Sequence, residues 1–217
     1  MSGRLAGVLL LSIGLGSLGC PGSPLTRYYL LGDGPSAVAS EPAATGIDVG
    51  VRSFEVDPPY DQDRIVYRVG RGGAEVGFYA YHRWAAPLAR MLPQLVATRL
   101  AGATGLRSIE PAVPGRRYDA WLSGRVLSLE EIDHDAGQDV HVRIELSLEL
   151  PDGSRLWSAT ARRVETIETR DVSAIVLGLN RVAAGAVDEL RPQLAGALAD
   201  ARGRIEASPS RGAAHSW

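Results

Sequence analysis

Few side chains in this 217-residue chain are of a type that makes or breaks bonds, and those few are scattered. The four histidines stand at 82, 134, 141 and 215, and the single cysteine stands at 20. One cysteine makes no intramolecular disulfide, and these spacings form no zinc site, so neither a disulfide scaffold nor a metal is expected. Catalysis needs a nucleophile, a base and an orienting group within reach of one another. The chain has no G-x-S-x-G elbow, no H-E-x-x-H and no paired-cysteine motif. It therefore reads as a non-enzyme, with no catalytic residues and no cofactor. The strongest acid–base candidate is His82 with a carboxylate such as Glu75 or Asp119, while His134 and His141 read as solvated or hydrogen-bonded side chains near a hairpin. Gly14, Gly16 and Gly19 spell the dinucleotide fingerprint G-x-G-x-x-G, but that loop requires a strand before it and a helix after it. Here it sits in an apolar N-terminal run followed by prolines, which is the wrong setting for a nucleotide.

That apolar run, Leu5 to Gly19, is about 15 residues long and follows a short start carrying Arg4. A helix needs roughly 20 apolar residues to cross a bilayer core, so the length fits a secretion signal better than a permanent span. The run ends at Cys20, and Pro21-Gly22-Ser23-Pro24 follows at once. Ser17-Leu18-Gly19-Cys20 resembles the cleavage site of a bacterial lipoprotein signal, in which the cysteine is acylated and becomes the first residue of the mature chain. The resemblance implies a signal peptide over 1–19, lipidation of Cys20 and a tether over 20–26. Residue 21 is proline rather than the aspartate of an inner-membrane retention signal. The implied location is therefore the outer membrane, with the domain facing the periplasm.

The 25 acidic residues outnumber the 23 basic ones, giving a formal charge of −2 and a pI near 6.1, so nucleic acid is not an expected partner. Removing residues 1–19 leaves 198, enough for one domain that buries roughly 70% of its extended-chain surface. Within it, Tyr28–Leu31 reads as a short strand, and 32–45 as an irregular loop rich in Gly, Pro, Ser and Ala. Alternation predicts a long strand over 47–56, and a second over 64–69 with Ile65, Tyr67 and Val69 on one face. A glycine-rich turn near 70–73 then returns the chain over 75–81. Leu88, Met91, Leu92, Leu95, Val96 and Leu100 recur at helical spacing over Ala85–Ala101, with Pro93 predicting a kink or break near residue 90. A short strand over 106–110 follows.

The second half predicts three long strands, over 118–132, 138–150 and 155–167. Val140, Val142, Ile144, Leu146, Leu148 and Leu150 face one way, against His141, Arg143, Glu145, Ser147 and Glu149. A long helix over 172–201 closes the domain, and the tail over 202–217 carries no period and is expected to be disordered.

Phe78-Tyr79-Ala80-Tyr81-His82-Arg83-Trp84 concentrates aromatics in a chain with only 6% of them. Two readings compete. Trp84 fills the junction between strand and helix while Arg83 meets water or an acid, or Tyr81, Arg83 and Trp84 together form an exposed anchor for a partner.

Read together with Arg27-Tyr28-Tyr29-Leu30-Leu31, Arg64-Ile65-Val66-Tyr67-Arg68, Tyr81-His82-Arg83-Trp84-Ala85 with Pro87-Leu88, and the apolar helix after Arg163 and Glu165, the chain resembles the ABC-type transport auxiliary lipoproteins over nearly all of residues 20–201. The resemblance implies a single α/β domain over 27–201, with a mixed sheet of about five strands and helices packed on it. It also implies a noncatalytic role in intermembrane lipid transport. The acyl anchor would hold one end at a membrane, while the domain docks the channel formed by a mammalian-cell-entry-type protein or oligomerises around it. The alternative is a periplasmic lipid or small-molecule carrier, with an apolar cleft between the Val142–Leu148 face and the last helix.

Overall fold

A computed structural model describes residues 24–32, 45–70 and 74–207. Cys20, most of the expected tether, most of the loop expected over 32–45, residues 71–73 and the expected tail from 208 on lie outside them. The elements run β1 (Arg27–Tyr29), β2 (Ile47–Val51), β3 (Glu55–Val56), β4 (Arg64–Val69), β5 (Val76–Trp84) and α1 (Leu88–Leu100) in the first half. The second half holds β6 (Leu106–Pro111), β7 (Ala120–His134), β8 (Gly137–Glu149), β9 (Arg155–Ile167) and α2 (Val172–Ala207).

The nine strands form one mixed sheet, larger than the five or so expected. Its size follows from β7. This strand has 15 residues, an extended length of roughly 50 Å. One of its edges pairs antiparallel with β8 from Trp121–Glu149 to His134–Gly137, and β9 follows beyond β8. The other edge is long enough for three short strands placed end to end, each parallel to it. β2 pairs at Val49–Ala120, β3 at Glu55–Arg125 and β4 at Tyr67–Glu131. From β2 the sheet continues to β6, and from β4 through β5 to β1.

The strand expected over 47–56 is thus divided. Val51 lies opposite Leu122 and Glu55 opposite Arg125, so the stretch between them carries one residue more than β7 does. Such an extra residue bends a strand, and here Phe54 sits within the bend with its side chain in the core, 4% exposed. The face assigned to β4 is also corrected. Ile65 and Val66 are both buried and Val69 is 44% exposed, because the register against β5 shifts between Arg64 and Val66 and upsets the alternation.

The long β8 alternation holds. Val140, Val142, Ile144, Leu146 and Leu148 are each 1% exposed or less, while Leu150 is half-buried beyond the strand. Against this face lies α2, presenting Ile175, Leu179, Val182, Ala186, Leu190, Leu194 and Leu198. Val172, expected in the same stripe, is only partly buried. The helix continues to Ala207, so residues 202–207 extend it rather than begin a tail, with Arg202 donating to Glu206 at 2.7 Å one turn on.

The first helix begins at Leu88, directly after Pro87, and runs through Pro93 without interruption. The expected break is absent because the carbonyl that Pro93 cannot serve finds donors outside the helix. Arg191 of α2 donates to the carbonyls of Arg99 and Ala101, satisfying the end of α1. Among the described residues no helix covers the opposite face of β7, β8 and β9.

Candidate functional site

Strand β5 places the aromatic segment next to the start of the described chain. β1 pairs with it in parallel, at Arg27–His82, Tyr28–Arg83 and Tyr29–Trp84. Residues in register share a face of the sheet, so the pairing sorts the side chains into two sets. Arg27, Tyr29, His82 and Trp84 point one way, whereas Tyr28, Tyr81 and Arg83 point the other.

Arg27 is exposed, but the other three of the first set are wholly or partly buried. Trp84 is 4% exposed and belongs to the core, its backbone N–H donating to the Asp63 carbonyl at 2.6 Å. The Tyr29 hydroxyl and His82 Nδ1 are 2.8 Å apart and their rings stack. Burial, and then the charge of Arg27, hold the His82 imidazole below its usual range. Asp119, offered by the sequence as a catalytic partner for His82, is instead bonded to the Asp48 N–H and to Arg107. The structure therefore does not join these two residues.

The second set faces solvent. Tyr28 is 66% exposed and Tyr81 43% exposed, and Leu25 and Leu30 flank them in the open. Arg83 donates to Asp63 at 2.7 Å, an ion pair at the surface. Of the three residues proposed as a partner contact, Tyr81 and Arg83 form one surface and Trp84 supports it from beneath. Tyr28 and Asp63 complete the patch. Tyr28 belongs to the Arg27–Leu31 segment quoted above, but its place beside Arg83 comes only from the β1–β5 register, and nothing local announces Asp63.

The strand is also tied down at its exit. Asn180 of α2 accepts from the Gly32 N–H and donates to the Leu30 carbonyl at 3.2 Å, and Leu31 is buried. The patch thus sits on a fixed edge.

A second polar arrangement lies midway along β7, where adjacent glutamates point to opposite faces. Glu130, 3% exposed, accepts from Arg68 Nε at 3.1 Å, from Arg68 Nη2 at 2.6 Å and from the Tyr60 hydroxyl at 2.8 Å. Burial and then the Glu130 carboxylate push the Tyr60 hydroxyl well above its usual range. Glu131, 1% exposed, accepts from the Tyr79 hydroxyl and from Gln138, each at 2.6 Å. Burial is the main reason its carboxyl titrates above the usual glutamate range. Each carboxylate oxygen is taken by an internal donor, so the pair fastens β4, β5 and β8 to β7. The dipeptide Glu130-Glu131 inside a long apolar alternation was a readable signal of buried carboxylates, and sequence reasoning passed over it.

Among the described residues no group of three or more His, Cys, Asp or Glu is placed to hold a metal, and no helix is long and apolar enough to cross a membrane.

No curated protein matches this chain. Among solved structures it is similar to protein XCC0632 from Xanthomonas campestris, at 15% identity, 85% coverage of this chain and 98% of that one, with a TM-score of 0.62. An uncharacterized protein superposes comparably, at 15% identity, 79% and 99% coverage and a TM-score of 0.61. At such identity the likeness speaks for the fold. The family model for the ABC-type transport auxiliary lipoprotein component matches residues 29–191, which takes in every strand from β2 to β9, α1 and most of α2. The chain belongs to the ABC-type transport auxiliary lipoprotein component family.

Proposed function

We propose that this lipoprotein is a noncatalytic subunit of an ABC system of the mammalian-cell-entry type that moves lipid between envelope membranes. In this reading it is anchored in the outer membrane through acyl chains on Cys20, and it docks or scaffolds the periplasmic channel. The observation that carries the reading is the position of the patch formed by Tyr28, Tyr81 and Arg83. The tether passes directly into β1, which forms one side of that patch. From Cys20 to Arg27 the chain spans at most about 25 Å. The docking surface is thereby confined to a thin layer beside the membrane that holds the anchor. Tethering raises its effective concentration for a partner in that layer without any added contact, and exposed Tyr and Arg are the side chains that dominate binding energy at interfaces.

The carrier alternative needs an opening between β8 and α2. Val142, Ile144, Leu146 and Leu148 meet Ile175, Leu179 and Leu190 there, all 1% exposed or less, so that space is filled. The docking reading has the better support.

The test is affinity purification of the full chain from envelope membranes, with identification of what accompanies it. A channel protein and ABC subunits should co-purify with the wild type and be lost with Tyr81→Ala. Cys20→Ala should leave the membrane fraction while remaining folded. Retention of Cys20→Ala in membranes would remove the anchor from this account, and co-purification indifferent to Tyr81 would remove the patch.

A further inference from the structure

The face of the sheet away from the helices carries an open cleft of about 900 Å³ along β7, β8 and β9. Its charge pattern departs from the rest of the surface. Several arginines on or beside the sheet meet carboxylates: Arg52 and Arg155 reach Glu149, Arg125 reaches Asp57, and Arg163 reaches Glu189 on the helix side, while Arg64 bonds the Gln62 side chain. Arg143 of β8 and Arg162 of β9 do not. They are direct cross-strand partners, a position that sets opposed Cβ atoms roughly 5 Å apart and makes like charges destabilising. Among the described residues neither guanidinium has an ion pair or a hydrogen bond.

The neighbouring acid gives no relief. Glu130 faces the same cleft, but Arg68 and Tyr60 already occupy both its oxygens. Asp139 lies 3.3 Å from His134. His141, which also lines the cleft, is held below the usual histidine range by burial and then by the charge of Arg162, and an imidazole offers these arginines no negative charge in either form. The rest of the lining is Ser128 and three apolar side chains, Leu127, Ile132 and a 45% exposed Val164.

Two adjacent guanidiniums without a counter-ion, next to apolar side chains, match an amphiphile with an anionic head. We infer that this cleft binds the phosphate of an anionic phospholipid headgroup, with Arg143 and Arg162 sharing the phosphate oxygens and Val164 and Leu127 taking the first carbons behind it. Guanidiniums present paired N–H donors suited to phosphate oxygens. The volume is at the upper end for a small-molecule site and exceeds what a bare phosphate needs. An acidic protein segment would satisfy the charges but leave the apolar wall unused. The site is separate from the β1–β5 patch and does not depend on its reading.

The full chain, purified from membranes in an uncharged detergent, is titrated calorimetrically with dihexanoyl phosphatidylglycerol, with inorganic phosphate, and with an oligoglutamate peptide. The short-chain lipid should bind saturably, and Arg143→Gln or Arg162→Gln should each weaken it about tenfold, the effect of one charge-assisted hydrogen bond. Arg155→Gln, an exposed arginine on another part of the sheet, should leave binding unchanged. Both cleft variants should melt at or above the wild-type temperature, because a like-charge contact has been relieved, and channel co-purification should persist. Equal lipid binding by the cleft variants overturns the site. Phosphate binding as tightly as the lipid reduces it to a free-anion site, and tighter binding of oligoglutamate transfers it to an acidic protein partner. Either result overturns the headgroup assignment.

Discussion

Phe54 donates its backbone N–H to the Ala89 carbonyl at 3.2 Å, the acceptor that a residue with an amide hydrogen at position 93 would have used. Ser53 Oγ donates to the same oxygen at 3.2 Å. Pro93 therefore costs α1 one internal bond and provides an attachment for the bend between β2 and β3. The Phe54 ring in turn lies over Gly124 of β7, so one residue joins helix, bend and central strand.

That stacking sets the first prediction. A Cβ at position 124 would come within 2.1 Å of the Phe54 ring. Gly124→Ala should destabilise the domain by roughly 1–3 kcal/mol, and by distinctly less in a Phe54→Ala background. A denaturant double-mutant cycle measures the coupling, and identical costs in both backgrounds would show that the ring is not the obstacle.

The two sides of β5 should respond differently to truncation. Trp84→Ala removes a core side chain and should cost roughly 3–5 kcal/mol. Tyr81→Ala, three residues away on the exposed face, should stay within about 0.5 kcal/mol. Equilibrium unfolding followed by fluorescence distinguishes them, and an unchanged midpoint for Trp84→Ala would place that side chain at the surface instead.

Charge reversal at Arg83 separates docking from folding. The Arg83–Asp63 pair is exposed and screened by solvent, so Arg83→Glu should leave the melting curve essentially where it was. Recovery of the channel protein in the affinity purification should fall sharply. Wild-type recovery would mean that Arg83 serves only to meet Asp63.

Glu131 gives a pH dependence with a definite sign. Its folded-state value is raised above the ordinary 4.5, chiefly by burial, with Asp133 adding to the rise and Tyr79 and Arg170 opposing it. The contribution to stability is then fully present below pH 4.5 and is lost as pH rises through the folded value. Glu131→Gln should flatten that part of the profile. The Oε1 of Gln138, buried without a partner, can turn to accept from the new amide. Urea unfolding of both proteins between mildly acidic and neutral pH checks this, and a constant stability difference across the range would exclude ionisation of Glu131 as its source.

The amino-acid sequence by itself determined the elements whose pattern is local and repeated. The alternation from Val140 to Leu148 placed β8 and its buried face, and the apolar spacing from Ile175 to Leu198 placed α2. In both, burial of one side follows from periodicity alone. What the tertiary structure decided depends on partners distant in sequence. Pro93 looked like a helix breaker because its compensating donor, Phe54, is 39 residues away. The run over 47–56 looked like one strand because its bend is visible only against the register of β7. Alternation counts faces but does not show which strand lies alongside, so neither the three strands sharing one edge of β7 nor the opposed Arg143 and Arg162 could be read from the chain. For the same reason Tyr81 and Trp84 formed one aromatic cluster in the sequence. Pairing with β1 put one in solvent and the other in the core.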